Sequence, residues 1–488
     1  MRDILFQIRD IPLILPELML AFFGMAILLT DFLLEKEQKS WNAVTAMMGV
    51  IFSGLSLWIM YPSARAGLRG FRGTIVTDQF FIFFGFIFLA ATALVILLSA
   101  RYLEIEGEQH GEYYALLLFA TVGMMLLACG NDLIVLFIGL ETMAISFYVL
   151  TGFLRRDRRS NEGALKYVLL GAFSSAILAY GFSILYGISG STNLEDIETA
   201  VATRPATDLL VLLALATVAV GLFFKVAAVP FHQWAPDVYE GAPTPITAFV
   251  SVASKTASFA LLLRLFLTVF HPIRVDWEML VAAVAVLSMT VGNIAALTQN
   301  NVKRLLAYSS ISHVGYILLG LVAGNELGLK AMAFYLLVYA FFNTGAFAIV
   351  IILRRKGLIG DELEDMNGLI ERSPGAAILM LIFLLSLAGI PPTAGFIGKL
   401  LIFWALIETH HVVLAVLAVL YILPAVYYYF RIVAAMWVSK APEGPRPRIS
   451  LAQALALGIS VAVTLAAGVY PEPFLRLAKY SILPFFRS

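Results

Sequence analysis

What most limits this chain is the recurrence, from end to end, of apolar runs long enough to cross a lipid bilayer. A helix rises about 1.5 Å per residue, so roughly twenty apolar residues cover the 30 Å hydrocarbon core. Lipid offers the backbone no hydrogen-bond partners, which leaves helices and closed barrels as the spanning structures. Charged residues make up 13% of the chain, about half the share usual in a soluble domain. The chain therefore reads as an all-α polytopic membrane protein whose short loops leave no room for a soluble domain. A formal net charge of +1 gives no reason to expect nucleic acid as a partner. The single cysteine, Cys129, lies in an apolar run, which excludes a disulfide framework and a cysteine metal site. Neither a phosphate-binding glycine loop, nor a dinucleotide fingerprint, nor haem or metal spacing is present. His410 and His411 are adjacent, point to different faces, and do not make a metal site.

About fourteen spans are expected, at 11–33, 41–60, 78–100, 111–129, 131–153, 161–188, 206–229, 244–270, 276–298, 301–323, 326–354, 374–409, 411–439 and 449–470. The stretch 374–409 is too long for one plain crossing and contains Pro391-Pro392, so a broken helix is expected there. Residues 193–203 read as a small helix on one surface. The opening MRDILFQIRDIPLILPELML has no small-residue cleavage site and is expected to lead into a retained first helix. Loops after odd-numbered spans hold the run Arg155–Arg159, Lys303, Arg304, Arg354, Arg355, Lys356 and Arg446, among others. The opposite side holds fewer cations, including Arg2, Arg204, Arg274 and Arg487. This bias puts the Arg155–Arg159 loop in the cytoplasm and both termini outside.

An internal repeat is visible. TVGMMLLACGND (Thr121–Asp132) matches TVGNIAALTQNN (Thr290–Asn301), and the same offset carries Glu141 to Ser310, with His313 one helical turn on. EGALK (Glu162–Lys166) matches ELGLK (Glu326–Lys330), and AAVP (Ala227–Pro230) matches AGIP (Ala388–Pro391). Two blocks of five spans follow: residues 1–110 hold three leading helices, 111–270 the first block, 271–440 the second, and 441–488 a last helix and tail. Five is odd, so the second block enters the membrane inverted, a pattern of transporters whose site lies where the helices break.

Ionisable residues inside the spans are few. Lys225 sits in an apolar helix that Pro230 interrupts, with His232, Trp234, Asp237 and Glu240 following. Such a lysine either snorkels to an interface or faces a protein interior that carries ions or protons. About fifteen mostly apolar residues before it favour the second reading. Glu141, Lys255, His313 and Lys399 are also mid-span. Histidine titrates near neutrality, which makes His232 a candidate for proton uptake and His313 a candidate relay. His313 also suits a hydrogen-bonded core position beside Ser310, Ser312 and Tyr316. Burial disfavours charge on lysine and carboxylate alike, and a neighbouring opposite charge restores it. A Glu–Lys contact that opens and closes would therefore change the lysine's hold on its proton. Lys166, Lys303 and Arg304 read as snorkelling anchors near helix ends.

Four stretches carry a specific resemblance: GLETMAISFYVL (Gly139–Leu150), FFKVAAVPFHQWAPDVYEGAPTPITAF (Phe223–Phe249) with Lys255 beyond it, NNVKRLLAYSSISHVGY (Asn300–Tyr316) and SLAGIPPTAGFIGKL (Ser386–Leu400). They resemble the antiporter-like subunits of respiratory complex I, the proton-pumping NADH:quinone oxidoreductase. The resemblance implies fourteen helices in two inverted five-helix bundles and two broken helices, at Pro230 and at Pro391-Pro392. It implies proton transfer by Glu141 paired with Lys225, a connecting Lys255 and a terminal Lys399. It implies no cofactor in this chain, with NADH, FMN, iron–sulfur clusters and quinone held by partner subunits. Those partners would be the other membrane subunits, especially antiporter-like subunit M and small subunit K, in a bacterial inner membrane. Subunit M has a glutamate where this chain has Lys399, and subunit L carries a long C-terminal arm, so the pattern is nearest subunit N. A multi-subunit sodium/proton antiporter shares the fold, and a passive scaffold would share the helices without the ionisable line.

Overall fold

The computed structural model describes residues 8–354, 360–441 and 447–486. Arg2, Arg355, Lys356, Arg446 and Arg487, which entered the charge comparison, lie outside the described residues. The chain begins with α1 (Leu15–Thr30) and α2 (Trp41–Ala64). A short antiparallel hairpin, β1 (Leu68–Gly70) and β2 (Ile75–Thr77), follows and precedes α3 (Gln79–Glu106). Next come α4 (Gly111–Cys129), α5 (Leu133–Thr151), α6 (Arg158–Ser189) and α7 (Leu194–Ala202), the small helix expected at 193–203. α8 (Leu209–Val226) and α9 (Trp234–Gly241) are separated by the Pro230 break. α10 (Thr244–Phe249) and α11 (Lys255–Arg264) form one rod, joined by a π turn at Val250–Ser254 and prolonged by another at Leu265–Val269. α12 (Arg274–Ala296), α13 (Val302–Ala323), α14 (Glu326–Leu353) and the short α15 (Leu369–Arg372) lead to the second break. The chain ends with α16 (Pro374–Ala388), α17 (Ala394–Glu408), α18 (Val412–Leu420), α19 (Ile422–Trp437), α20 (Leu451–Val469) and α21 (Glu472–Ile482).

Thirteen helical stretches of the described residues are long and apolar enough to cross a membrane. The fourteenth expected crossing is the pair α16 and α17, with 15 residues each. Each half is only about 22 Å long at 1.5 Å per residue, so neither crosses alone. The α10–α11 rod is buried along its whole apolar length, and α13 and α14 almost as fully. These three are the core, while α1, α2, α6, α18 and α20 present Leu, Ile, Val and Phe outward. Two features depart from the sequence reading. The β1–β2 hairpin interrupts an otherwise helical chain, and the tail after α20 is a helix, α21, packed on α3 and α14.

Two parts of the fold are built twice with the same hydrogen bonds. Asp132 caps α5 and bridges Asn193, while Asn301 caps α13 and bridges Glu362. Leu133 N–H donates to Thr192 O and Leu194 N–H to Asn131 O; Val302 N–H donates to Asp361 O and Leu363 N–H to Asn300 O. All four pairs keep the offset of 169 that separates Asp132 from Asn301. The glycines obey it too. A Cβ on Gly123 would lie 2.5 Å from Met143 N, and one on Gly292 would lie 2.6 Å from Ser312 N. Only glycine lets α4 approach α5, and α12 approach α13, this closely.

The breaks are the second repeated part. α8 ends on Ala227 in the left-handed region (φ 60°) and α16 ends on Gly389 (φ 81°). Ala227 and Ala228 donate to Phe224 O and Phe223 O, and Gly389 and Ile390 donate to Ser386 O and Leu385 O. Phe231 donates to Ala228 O, and Thr393 to Ile390 O. The offset here is 162, so Ala227–Pro230 corresponds to Gly389–Pro392, one residue later than the match of letters to Ala388–Pro391. The left-handed cap sets the register, and letter identity followed the wrong proline of the Pro391-Pro392 pair. The EGALK and ELGLK motifs also sit differently: Glu162 lies a turn inside α6, whereas Glu326 opens α14.

One buried ion pair joins three elements. Asp78 caps α3 by accepting from Phe81 N–H at 2.8 Å. Arg264, at the end of α11, grips the same carboxylate with two bonds of 2.8 and 3.0 Å. It also donates to Ala128 O near the end of α4, at 2.6 and 3.1 Å. Its guanidinium lies 4.7 Å from the Phe80 ring centroid. Removing one partner of a buried pair strands the other charge, at a cost of about 3–5 kcal/mol. Arg264→Met is therefore expected to lower the amount of protein assembled in membranes and its thermal stability after extraction. Wild-type amount and stability in that variant would rule out a bracing role.

Candidate functional site

Lys225 sits in the last turn of α8 and is 5% exposed. Its Nζ donates to Ser175 Oγ on α6 at 3.2 Å and lies 6.0 Å from the Tyr148 ring centroid. Glu141, half-buried on α5, is the carboxylate whose charge acts on that ammonium. Its Oε1 is buried without a hydrogen-bond partner. Among the described residues the two make no ion pair within 4.0 Å. The acid and the base are neighbours with their contact open.

The α8–α9 break satisfies its own backbone. Trp234 Nε1 donates to Phe224 O at 2.9 Å, and Val229 N–H donates to Ser288 Oγ of α12 at 2.9 Å. Pro230 is exposed and His232 half-buried, with His232 Nδ1 buried and unpartnered. Here the chain is irregular at a place where the sequence also supplies polar groups, which in a membrane requires protein or water around it.

The second half of the site centres on His313. Lys255, at the start of α11 just after the π turn, donates to Ser310 Oγ at 2.6 Å, and Tyr339 OH donates to the same oxygen at 2.9 Å. π turns inside helices are frequent at functional sites. The His313 ring nitrogens lie 2.7 Å from Tyr335 OH and 3.2 Å from Tyr429 OH, which holds the imidazole at both ends. The charges of Lys399 and Lys255 both reach it. Lys399, on α17, points back to the end of α16 and donates to Leu387 O and Ala388 O at 3.0 Å each. Its ammonium lies 4.7 Å from the Tyr316 ring centroid. A Cβ on Gly389 would come 2.8 Å from Lys399 Cδ, so glycine leaves room for the lysine stem. Pro391 and Pro392 are exposed at this break.

By the offset of the breaks, Lys225 corresponds to Leu387. The second block thus carries a leucine where the first carries its lysine, and Lys399 supplies an ammonium to that leucine's carbonyl from the other half of the break. The free carbonyls at a helix C-terminus carry partial negative charge and suit a cation.

Of the three expected snorkelling anchors, Lys303 is instead drawn into the protein, while Lys166 and Arg304 keep partly exposed ends in ion pairs. Lys166 pairs with Glu162 at 2.8 Å and Asp237 at 2.7 Å; Arg304 pairs with Asp237 at 2.7 Å and Glu240 at 2.8 Å. Lys303 is buried and donates to Glu240 O and Ala242 O at 2.7 Å each, at the end of α9. Acidic partners that sit on α9 were hidden in the sequence by the distance between the segments. Most of the tyrosines were also missed: Tyr148 and Tyr239 near Lys225 and Lys255, and Tyr335, Tyr339 and Tyr429 around His313, where the sequence had placed only Tyr316. Tyr335 and Tyr339, one turn apart on α14, were the available signal.

Amine, imidazole and hydroxyl groups can each accept and release a proton, so this row has the chemistry that a proton path needs. Among the described residues no cluster of three His, Cys, Asp or Glu side chains is arranged to hold a metal ion.

Residues 130–423 match the family profile described as NADH:quinone oxidoreductase/Mrp antiporter, TM. The chain is 56% identical over 477 residues to NADH-quinone oxidoreductase subunit N 2 of Solibacter usitatus, covering 96% of this chain and 97% of that one. It superposes on a chain of respiratory complex I from Thermus thermophilus with TM-score 0.80 and 32% identity, covering 95% and 99% of the two chains. A chain of the Mrp complex from Dietzia sp. matches with TM-score 0.84 at 20% identity over 97% of each, a likeness of fold. This chain belongs to the antiporter-like membrane subunits of NADH:quinone oxidoreductase, in the subunit N branch.

Proposed function

We propose that this subunit carries protons along Glu141, Lys225, Lys255, His313 and Lys399 while partner subunits move electrons from NADH to quinone. What supports the reading best is a row of three ammonium groups, Lys225, Lys255 and Lys399, each no more than 5% exposed and none closed by an ion pair among the described residues. A structural lysine at membrane depth is normally paired or turned to an interface. These are held by hydroxyls, carbonyls and aromatic faces, which tolerate both the charged and the neutral form. Glu141 biases Lys225 toward its charged form when their contact closes. Lys255 passes the proton from the first block to the second, His313 relays it, and Lys399 releases it beyond Pro391-Pro392. His232, at the partly exposed Pro230 break, takes protons up.

The two blocks, 111–270 and 271–440, run in opposite directions, since five crossings separate α4 from α12. Residues 1–110 lean on the first, and 441–488 close the second. The shared hydrogen bonds of the caps and breaks support this. FMN, iron–sulfur clusters, NADH and quinone belong to partner subunits. Subunit M and subunit K are the neighbours we assign to the outward apolar faces, in a bacterial inner membrane with both termini outside. A sodium/proton antiporter subunit is the second reading, supported by likeness of fold and by a family profile that covers both kinds of protein.

Two substitutions test the line. Glu141→Gln keeps the shape and removes the charge that acts on Lys225. The complex is expected to assemble, with proton translocation per quinone reduced falling about tenfold, the effect of losing one close opposite charge. Normal translocation at a normal oxidation rate would sink the pairing. Lys399 separates titration from shape. A terminal proton site needs a titratable group, so Lys399→Glu is expected to retain appreciable pumping while Lys399→Met and Lys399→Ala lose most of it. A packing lysine would give the reverse order, because methionine keeps the stem. The measurement is translocation in membranes with matched amounts of assembled complex.

A further inference from the structure

The caps of α5 and α13 fix which residues of the two blocks are equivalent. Glu141 and Ser310 are each the ninth residue of a helix that starts after an equivalent cap, Asp132 or Asn301. The first block therefore holds a carboxylate at the position where the second holds a hydroxyl. Ser310 is not idle. It accepts from Lys255 Nζ at 2.6 Å and from Tyr339 OH at 2.9 Å, and it is 1% exposed. Tyr239 completes the surroundings: its hydroxyl is buried without a hydrogen-bond partner, and its ring centroid lies 5.6 Å from Lys255 Nζ. His313 stands one turn further along α13. The hydrogen-bond acceptor of the Lys255 ammonium is thus a neutral hydroxyl and its aromatic neighbour a neutral ring, and among the described residues no carboxylate pairs with it within 4.0 Å.

We propose that Ser310 is a positioning residue that fixes the Lys255 ammonium while withholding the negative charge that Glu141 supplies in the first block, so that Lys255 passes protons on instead of storing them. This rests on the proton-line reading above. A carboxylate at a hydrogen-bonding distance stabilises ammonium over amine and would hold the proton where it is. A hydroxyl accepts a hydrogen bond from either form and so orients the nitrogen while favouring the charged form far less than a carboxylate does. The two blocks then differ in kind. Block one, with Glu141, has a charge that can be brought to or taken from its lysine. Block two, with Ser310, has a fixed neutral seat.

The test compares Ser310→Asn, Ser310→Asp and Ser310→Ala in the whole complex, with Lys255→Met as control. Asparagine and aspartate have the same shape, and both offer an oxygen to Lys255. The asparagine variant is expected to keep at least half of the wild-type translocation per quinone reduced. The aspartate variant is expected to fall about tenfold or more, the bias set by one close opposite charge. The alanine variant loses the acceptor and is expected to fall about threefold, as for one lost hydrogen bond. Aspartate pumping as well as asparagine, or asparagine failing as badly as aspartate, would overturn the proposal. Should the aspartate variant not assemble, alanine decides: wild-type pumping in Ser310→Ala overturns it, and a loss that asparagine does not share supports it. Normal pumping in Lys255→Met would instead overturn the proton line itself and leave a different signature, since the Ser310 variants would then all pump alike.

Discussion

Three lysine ammonium groups held inside a membrane protein without ion pairs are the constraint on which the rest of this structure depends. Charge at that depth is costly, and a protein keeps it only by surrounding it with groups that accept hydrogen bonds. Lys225 finds Ser175 and the face of Tyr148; Lys255 finds Ser310; Lys399 finds two carbonyls freed at the end of α16 and the face of Tyr316. The breaks after Val226 and Ala388 are the source of free carbonyls and of irregular chain. They are stable because Ala227, Ala228, Gly389 and Ile390 turn their N–H groups back onto the preceding helix turn.

The core around this row is closely packed. The α10–α11 rod has α14 packed against it and α13 reaching it through the Lys255–Ser310 bond, and all three are almost wholly buried. Gly123 and Gly292 bring paired helices to near backbone contact, and Asp78 with Arg264 ties the far end of the rod to α3 and α4. A second charged knot, Lys166, Asp237, Glu240, Arg304 and Lys303, joins α6 and α9 to α13 across the two blocks. Close packing of this kind fixes the intervals between the buried ionisable groups, as the proposed proton path needs. The open contact between Glu141 and Lys225 stands out within this frame, since Glu141 Oε1 is among the buried oxygens left unpartnered.

Much of this was legible in the letters. The spans follow from apolar runs, because a helix is what satisfies a backbone in lipid. Both broken helices were readable at Pro230 and Pro391-Pro392, and Glu141, Lys225, Lys255, His313 and Lys399 stood out because ionisable residues are rare in such runs. The offset of 169 between Asp132 and Asn301 was visible in the glycine and cap residues and recurs in the hydrogen bonds.

The sequence by itself determined the class, the number of crossings, the breaks and the rare ionisable residues, since these depend on local composition and on chain neighbours. Tertiary structure alone decided the partners. Ser175 lies 50 residues from Lys225 and Ser310 lies 55 from Lys255; the repeat singled out Ser310, but nothing local assigns either serine its lysine. It corrected the register of the second break by one residue, because the left-handed cap, a backbone property, sets that register. It buried Lys303 against the backbone carbonyls of Glu240 and Ala242 and gave Arg304 the carboxylates of Asp237 and Glu240, all from another segment. It revealed Arg264 as the mate of Asp78, 186 residues away. Pairings made across a bundle are set by how helices pack, and packing joins residues that the chain keeps apart.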